Sequence, residues 1–419
     1  MDHFELRHGV LHAEDVPLPV IADAVGTPVY VYSRATLERH ARVFLDALSG
    51  LDRTHVAFAV KANPNLAVLR VLGRMGLGAD VVSGGELMRA LAAGIAADGI
   101  VFSGVGKTGT ELELGLEKQI GQFNLESEEE GEMLSAIAVS RGQRAPAVLR
   151  VNPDVDARTH AKISTGKAEN KFGVGIGDAA AIYQRLAALE GLNLRGVACH
   201  IGSMIADLGP LEAAIRRVGE LVALLRAAGH AITHVDLGGG IGVPYRPGDV
   251  MPSPADYGAM VARATKGWDV TLMFEPGRVI AGNAGVLMTR VIRVKPGVVA
   301  PFVVVDAAMN DLARPALYDA YHHFEPVEPR GGEMLANIVG PVCETGDTFA
   351  MARSIELVEA GDLAIFRTAG AYGATMASTY NSRAMVPEVL VDGSRFAVVA
   401  ERIPPETIMA AEHIPDWLD

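Results

Sequence analysis

A single lysine, Lys61, follows the largely apolar run of residues 55–60, and Pro64 then breaks the segment. An ammonium group at the end of a buried strand loses hydration, so it is usually either paired with a carboxylate or used chemically. Desolvation lowers the pKa of an amine and so favours the free nucleophile, which can form a Schiff base with an aldehyde such as pyridoxal phosphate. The structural alternative is a lysine whose ammonium reaches solvent at the strand end. This segment alone favours neither interpretation.

Two other apolar runs also end on residues that suit a cofactor. His200 closes one run and is followed by Ser203. A histidine there is more often a hydrogen-bonded core residue, but its ring can stack on a planar cofactor while the serine hydroxyl binds a phosphate. Glu275 closes another run ahead of Gly277 and Arg278. It is either half of an ordinary acid–base pair or a carboxylate that keeps a pyridine nitrogen protonated.

Glycine-rich segments suggest an anion site but not a nucleotide site. Gly238, Gly239 and Gly240 directly follow a predicted strand, where their backbone N–H groups can approach an anion closely. A dinucleotide-binding loop is excluded, because its last glycine would fall at Val243. The segment ending in Lys107 resembles a P-loop, but that motif requires glycine where Val101 stands.

The second half of the chain carries candidate substrate contacts. Arg314 lies in the segment 306–318 without an adjacent acid, so it is either solvated or available to bind a carboxylate bidentately. Cys343 precedes Glu344 in a glycine-bounded loop, although a lone cysteine is more often a packing residue. Tyr372 has small neighbours on both sides, which suggests close approach of the backbone.

Composition limits the class of protein. The 419 residues include 37 basic and 50 acidic side chains, and the net charge of −13 argues against nucleic acid or an anionic membrane as the main partner. Cys199 and Cys343 are too few for a disulfide framework, and no signal sequence or membrane-length apolar run is evident. We therefore expect a soluble cytoplasmic protein.

The elements that must position these residues alternate between strand and helix patterns from residue 29 onward, which predicts parallel strands with crossover helices. A closed (β/α)8 barrel and an open doubly wound sheet are the two candidates, and roughly eight or nine such units in about 250 residues match the size of a barrel. The barrel is favoured because the chemical residues fall at the carboxyl ends of different strands. These residues are Lys61, Ser83, Ser103, Glu126, Asn152, His200, Gly238 and Glu275. The predicted strands are 29–32, 56–61, 79–82, 100–102, 122–125, 147–151, 196–200, 234–237 and 271–275.

Three regions follow from this pattern. Residues 1–27 form an N-terminal arm that is expected to pack with the last region. Residues 28–284 form the barrel. Residues 285–419 show strands without long intervening helices, which predicts a C-terminal, mainly β domain.

Taken together, these segments resemble the diaminopimelate decarboxylases, members of the alanine racemase-like (fold type III) class of pyridoxal-phosphate enzymes. The resemblance covers essentially the whole chain. Its segments are individually weak and jointly specific. They are Phe58-Ala59-Val60-Lys61-Ala62-Asn63, His200-Ile201-Gly202-Ser203, Gly238-Gly239-Gly240, Glu275-Pro276-Gly277-Arg278, residues 306–318, Cys343-Glu344 and Ala371-Tyr372-Gly373.

The resemblance implies a role for each of these residues. Lys61 would form the Schiff base with pyridoxal phosphate, His200 would stack on its ring, and Glu275 would meet its nitrogen. Other cofactor contacts would come from Ser203, Gly238, Gly239, Gly240, Gly277, Arg278 and Tyr372. Substrate contacts would come from Arg278, Arg314, Tyr318, Glu344 and Tyr372. Cys343 would donate a proton from the second subunit of a homodimer. No metal is implied.

Two details of the resemblance concern the surroundings of the site. Residues 152–173, with Thr159-His160 and Lys171-Phe172-Gly173, resemble the family's mobile lid. Met204 stands where the family pattern leads us to expect glutamine, which affects only a contact near the phosphate.

The implied reaction is decarboxylation of meso-diaminopimelate to L-lysine, the last step of lysine biosynthesis by that route. Arg314 with a nearby Glu344 suits a second carboxylate and a second ammonium better than the lone distal cation of ornithine, lysine or arginine. A decarboxylase for one of those amino acids, or for carboxynorspermidine, remains an alternative, and so does a regulator that binds the cofactor without catalysis. The presence of both Lys61 and Cys343 argues against the regulator.

Overall fold

The computed structural model of the protein describes residues 2–157 and 170–418. The chain forms two compact units. The barrel unit comprises Glu38–Pro244 and Val250–Ile280. The β unit comprises Met1–Leu37, Tyr245–Asp249 and Ala281–Asp419.

The barrel unit is built on a closed sheet of parallel strands. Thr271–Phe274 pairs with Thr54–Ala59, the first strand, and this pairing closes the ring. Most of the strands are short and buried on both faces, as expected for strands that helices cover. The predicted eight-stranded barrel is confirmed for the described part of the chain. The eight strands are Thr54–Ala59, Gly78–Val81, Ile100–Phe102, Gln122–Leu125, Ala145–Asn152, Leu192–Ala198, His234–Asp236 and Thr271–Phe274.

Several crossover helices begin at a polar residue whose side chain caps the first turn. Thr108 and Ser253 each form a reciprocal capping box, with Glu111 and Asp256 respectively. None of the described helices is long and apolar enough to cross a membrane. The helices from residue 34 to residue 281 are Arg34–Ala47, Leu66–Arg74, Gly84–Ala92, Gly109–Glu117, Glu128–Ser140, Ala179–Ala187, Leu208–Ala227, Pro254–Ala264 and Arg278–Ala281.

The β unit contains a small sheet and a larger mixed sheet around a common apolar core. The small sheet consists of Phe4–Arg7, Val10–Ala13 and Val16–Pro17. The larger sheet consists of Val29–Ser33, Gly285–Lys295, Phe302–Val305, Phe324–Pro326, Glu333–Val339, Thr348–Glu356, Leu363–Phe366, Glu388–Asp392 and Arg395–Ala400. The helices of the described β unit are Leu18–Val25, Arg314–Tyr318 and Pro405–Met409.

Two local expectations differ from the structure. The run 29–32 is predicted to open the β/α repeat, but Val29–Ser33 pairs with Gly285–Lys295 and Glu388–Asp392 in the larger sheet of the β unit. A run of five buried residues has the same pattern in either sheet, so sequence does not distinguish them. Lys61 is also predicted to end a strand, whereas the strand Thr54–Ala59 stops earlier and Lys61 lies in the 3-10 turn Val60–Ala62.

Lys107, from the segment that resembles a P-loop, is a buried structural residue that contacts other groups of the protein. Its fully buried ammonium lies 2.7 Å from Glu130 Oε1. It also donates to the carbonyl oxygens of Gly104 at 2.6 Å and Asn124 at 2.9 Å. Burial raises the pKa of the Glu130 carboxyl, and the positive charge of Lys107 offsets part of this increase. Lys107 therefore links the loop after the strand Ile100–Phe102 to the neighbouring strand Gln122–Leu125.

We expect Lys107→Met to destabilise the protein by about 3–5 kcal/mol, because it leaves Glu130 buried without its cation. Methionine preserves most of the side-chain length, so lost packing contributes little. Urea denaturation followed by circular dichroism measures the effect. Lys118→Met is the matched control, since Lys118 pairs with Glu117 at the exposed surface, and it should unfold like the unmodified protein. Equal stability of the two variants would contradict the assigned role of Lys107.

Candidate active site

Lys61 occupies the carboxyl end of the barrel, where it meets a buried aspartate. Its Nζ donates to Asp80 Oδ2 at 3.0 Å. The Lys61 side chain is 38% exposed, whereas the Asp80 side chain is fully buried within the strand Gly78–Val81. Asp80 thus orients the amine while the amine stays accessible to a small molecule.

Glu275 lies in a network of polar side chains drawn from three other strand ends. Asn124 Nδ2 lies 3.2 Å from Glu275 Oε1, 3.1 Å from Asp236 Oδ2 and 3.1 Å from Ser103 Oγ. The Ser103 hydroxyl donates to Glu275 Oε1 at 3.3 Å. Because an amide nitrogen only donates, both carboxyl groups accept from Asn124. The network therefore fixes the orientation of Glu275.

The Glu275 carboxyl favours its protonated form. Burial raises its pKa well above the usual value, and the neighbouring charges of Asp236 and Asp80 raise it further. Burial likewise raises the pKa of Asp236, with which Glu275 forms a hydrogen bond. The positive charge of Lys61 lowers the pKa of Glu275 and so partly offsets these effects. Such a carboxyl can share its proton with a basic ring nitrogen in a hydrogen bond.

His200 is held as a neutral imidazole. The backbone N–H of Gly239 donates to His200 Nδ1 at 3.2 Å, so Nδ1 is unprotonated and the ring proton is on Nε2. Burial lowers the pKa of His200 well below its usual value, and the positive charges of Arg150 and Lys61 lower it further. A neutral, fixed ring is suited to stacking on a planar cofactor.

The glycine run has no room for side chains. A Cβ at Gly239 would lie 2.2 Å from the carbonyl oxygen of Glu275, and one at Gly240 would lie 2.4 Å from that of Gly202. Gly238 and Gly240 have φ values of +65° and +119°, which glycine tolerates best. The run therefore passes within contact distance of the loops that carry His200 and Glu275.

Hydroxyl and guanidinium donors lie in neighbouring loops of the same unit. Arg278 Nη2 donates to Ser203 Oγ at 3.3 Å, and Arg278 is buried at the start of the helix Arg278–Ala281. Gly277 directly precedes this helix and is also buried. Met204, next to Ser203, has a φ of +61°. Serine, arginine and exposed backbone N–H groups are typical phosphate ligands.

These barrel residues match pyridoxal phosphate in chemistry. Lys61 would supply an amine for the aldehyde, and His200 would supply a neutral ring. Glu275 would supply an acid for the pyridine nitrogen, Ser203 would supply a phosphate donor, and Arg278 would be a further cofactor contact. An orphaned polar atom supports the fit, because Asp80 Oδ1 is buried without a hydrogen-bond partner among the described residues.

The predicted lid lies only partly within the described residues. Thr159-His160 fall outside them, whereas Gly173 N–H donates to Glu126 Oε2 at 2.8 Å. Glu126 Oε1 also lies 2.7 Å from Arg150 Nη1, and both side chains are buried.

The β unit carries the other predicted site residues. Arg314 is buried at the start of the short helix Arg314–Tyr318, in which Tyr318 is half-buried. Tyr372 has a φ of +56°, and a Cβ at the following Gly373 would lie 2.5 Å from the Ala369 carbonyl oxygen. The small residues around Tyr372 thus permit a tight turn.

Cys343 and Glu344 are exposed on a loop that a buried aspartate holds. Asp347 accepts from the backbone N–H of Val342 at 2.6 Å and from that of Met309 at 2.7 Å. Tyr380 donates its hydroxyl to Glu344 Oε2 at 2.9 Å, and this bond raises the pKa of Tyr380. The thiol and the carboxylate therefore project from a well-anchored loop.

Four buried polar residues of the barrel were not singled out from the sequence. Asp80, Asn124 and Asp236 contact the predicted site residues directly, and Arg150 acts on His200 electrostatically. The sequence feature that indicates such residues is a polar side chain inside an apolar strand, because a buried polar group needs a hydrogen-bond partner.

Known proteins resemble the barrel region by itself and also the chain over nearly its whole length. Residues 34–282 match the family described as pyridoxal-dependent decarboxylase, pyridoxal binding domain. A diaminopimelate decarboxylase of Zymomonas mobilis is 53% identical over 420 residues, which covers 99% of each protein. The crystal structure of the M. jannaschii diaminopimelate decarboxylase with L-lysine has a TM-score of 0.96 at 34% identity and covers 100% of this chain and 99% of that one. The Helicobacter pylori enzyme with L-lysine has a TM-score of 0.91 at 37% identity, with coverage of 94% and 98%.

The barrel, with its accessible lysine held by a buried aspartate, together with the matched family, defines a pyridoxal-phosphate-dependent decarboxylase. Within that class, the chain belongs to the diaminopimelate decarboxylase family. The roles of the individual site residues stay predictions.

Proposed function

We propose that the protein removes one carboxyl group from meso-2,6-diaminopimelate to give L-lysine and carbon dioxide, the last step of lysine biosynthesis by this route. The observation that carries the proposal is the accessible amine of Lys61, held by Asp80, in a chain that aligns over nearly its whole length with diaminopimelate decarboxylases. Lysine in the related crystal structures supports L-lysine as the product.

The barrel residues hold and tune the cofactor. Bound pyridoxal phosphate supplies an electron sink, which accepts the electron pair released when the carboxylate leaves. Lys61 would hold its aldehyde carbon covalently, and Glu275 would keep a proton at its ring nitrogen. His200 would stack on the ring. The phosphate would be bound by Ser203, Gly238, Gly239, Gly240, Gly277 and Tyr372, and Arg278 would be a further cofactor contact.

The remaining residues bind the substrate and complete the reaction. Arg278, Arg314, Tyr318, Glu344 and Tyr372 would contact the substrate. Arg314 and Glu344 suit the distal carboxylate and the distal ammonium of diaminopimelate, respectively. As the bond from the reacting carbon to the carboxylate breaks, the Cys343 thiol or a relay from it would deliver a proton to that carbon.

The assembly that we propose is a homodimer in which each active site takes Cys343 and Glu344 from the partner subunit. Exposure of both residues on their own chain supports this arrangement. We also propose a cytoplasmic location, which agrees with the two unpaired cysteines, Cys199 and Cys343.

The protein purified with pyridoxal phosphate tests the proposal directly. We expect a visible absorbance band from lysine-bound cofactor, and release of lysine and carbon dioxide in equal amounts after addition of meso-diaminopimelate. A band without lysine would reassign the substrate, and a panel of ornithine, lysine, arginine and carboxynorspermidine would then identify it. Absence of any band would contradict the role of Lys61.

Arg314→Ala should raise KM for diaminopimelate by the equivalent of about 2–4 kcal/mol, because a charge-assisted pair with the substrate carboxylate is lost. Steady-state kinetics on the cofactor-loaded enzyme measures the change. Arg330→Ala is the control, since Arg330 forms exposed ion pairs with Glu359 and Asp362 in the same unit. An unchanged KM for Arg314→Ala would remove this residue from the specificity argument.

A further inference from the structure

The guanidinium of Arg314 is enclosed by two side chains of its own unit. Arg314 Nη1 lies 2.9 Å from His322 Nε2, and both residues are buried. The ring of Tyr245, also buried, lies with its centroid 4.6 Å from the guanidinium carbon. Tyr245 and His322 meet edge to face, with ring centroids 5.3 Å apart. A guanidinium held in this way has little freedom to rotate.

The direction of the hydrogen bonds defines the state of His322. The guanidinium of Arg314 can only donate, so His322 Nε2 must accept and carries no proton. The other ring nitrogen, Nδ1, lies 2.9 Å from the carbonyl oxygen of Arg367 and must donate to it. His322 is therefore a neutral imidazole in a single tautomer, and both of its nitrogens are used.

The backbone of His322 is anchored from a separate direction. Its carbonyl oxygen accepts from Arg353 Nη1 at 2.7 Å. The guanidinium carbon of Arg353 lies 4.1 Å from the ring centroid of the neighbouring Tyr321, and that of Arg246 lies 5.1 Å from the same centroid. Burial and the charge of Arg246 lower the pKa of Arg353. His322 is thus fixed through both its ring and its main chain by contacts other than the one with Arg314.

We infer that His322, supported by Tyr245, is the positioning residue for Arg314, and that it controls binding of the substrate's distal carboxylate rather than the bond-breaking step. This inference rests on the proposed function through the role given there to Arg314. His322 accepts one of the five guanidinium N–H groups and so sets the plane in which the others are presented. An interaction far from the reacting carbon affects the bound substrate and the transition state alike, which predicts an effect on KM.

Two substitutions at His322 separate positioning from packing. His322→Leu introduces an apolar side chain of comparable size and removes the hydrogen-bond acceptor, whereas His322→Gln retains an acceptor oxygen. We expect His322→Leu to raise KM for diaminopimelate roughly tenfold or more with kcat within about twofold, and His322→Gln to recover most of the loss. Equal KM values for both variants and the unmodified enzyme would overturn the inference, as would a loss confined to kcat.

The double variant Arg314→Ala/His322→Leu tests whether His322 acts through Arg314. If it does, the double variant has the KM of Arg314→Ala alone, because the positioned group is already absent. Additive effects on KM would overturn the inference. These outcomes are distinct from failure of the proposed function, in which the unmodified enzyme would release no lysine from diaminopimelate.

A second pair of substitutions covers the case in which His322→Leu does not fold. Tyr245→Phe retains the aromatic face that packs on Arg314, and Tyr245→Leu removes it. We expect a raised KM with unchanged kcat for Tyr245→Leu and near-normal values for Tyr245→Phe. Normal KM in the folded Tyr245→Leu enzyme would overturn the inference, because Arg314 would then bind the substrate equally well without the ring that packs on it.

Discussion

Lys61→Ala should abolish turnover, with kcat reduced on the order of 10³-fold or more, because the covalent attachment of the cofactor is lost. The visible absorbance of lysine-bound cofactor should disappear with it. Reduction with borohydride followed by peptide mass analysis provides the direct measurement. In the unmodified enzyme, the reduced cofactor should be found on the peptide that contains Lys61.

Lys61→Arg is the matched control for charge. Lys61 pairs with the fully buried Asp80, so alanine removes a cation as well as a nucleophile. Arginine preserves the positive charge but cannot form the covalent bond under these conditions. We therefore expect Lys61→Arg to be as inactive as Lys61→Ala but more stable to urea. A reduced cofactor attached to a different lysine would contradict the assignment.

The positions of Lys61, His200 and Glu275 could be predicted because each comes just after an apolar run. The structure places all three one or two residues beyond a barrel strand. Because parallel barrel strands present their carboxyl ends at one face, locating the strand ends was enough to gather the residues. The number of these runs matched the size of a barrel, and the chemical residues at their carboxyl ends favoured the barrel over an open sheet.

The partners that tune these residues could not be predicted in the same way. Asn124 and Asp236 are 112 positions apart, and each lies in a strand of only three or four residues. Such strands are too short for an alternating pattern to show which side chains face the interior. The contacts of Asn124 with Glu275 and Asp236 depend on barrel closure, which only the three-dimensional pairing of strands reveals.

Arg314 shows the same limit at shorter range. The sequence identifies it as an arginine without an adjacent acid, and the structure adds that His322, eight positions later, accepts its hydrogen bond. A histidine near an arginine in sequence predicts no such contact. The contact arises because the chain turns after the helix Arg314–Tyr318, where Asp319 has a φ of +51°.

Cys343→Ala should lower kcat by about 10²–10⁴-fold, the usual contribution of a positioned general acid. The absorbance of lysine-bound cofactor should stay intact, because Cys343 has no role in holding the cofactor. Cys199→Ala is the control. Cys199 is buried, and burial raises its pKa to about 12, so it is an inert thiol and its removal should leave kcat unchanged. Unchanged turnover in Cys343→Ala would contradict its role as proton donor.

Mixing two inactive variants then tests whether the partner subunit supplies the thiol. In a mixed dimer of Lys61→Ala and Cys343→Ala chains, one shared site contains both substitutions and the other contains neither. Random mixing makes half of the dimers mixed, so roughly a quarter of all sites should regain activity. If each chain instead used its own Cys343, every site would keep one substitution, and mixing would restore nothing. Restored activity would thus require both a dimer and an active site completed across its interface, which the exposed position of Cys343 on its own chain leads us to expect.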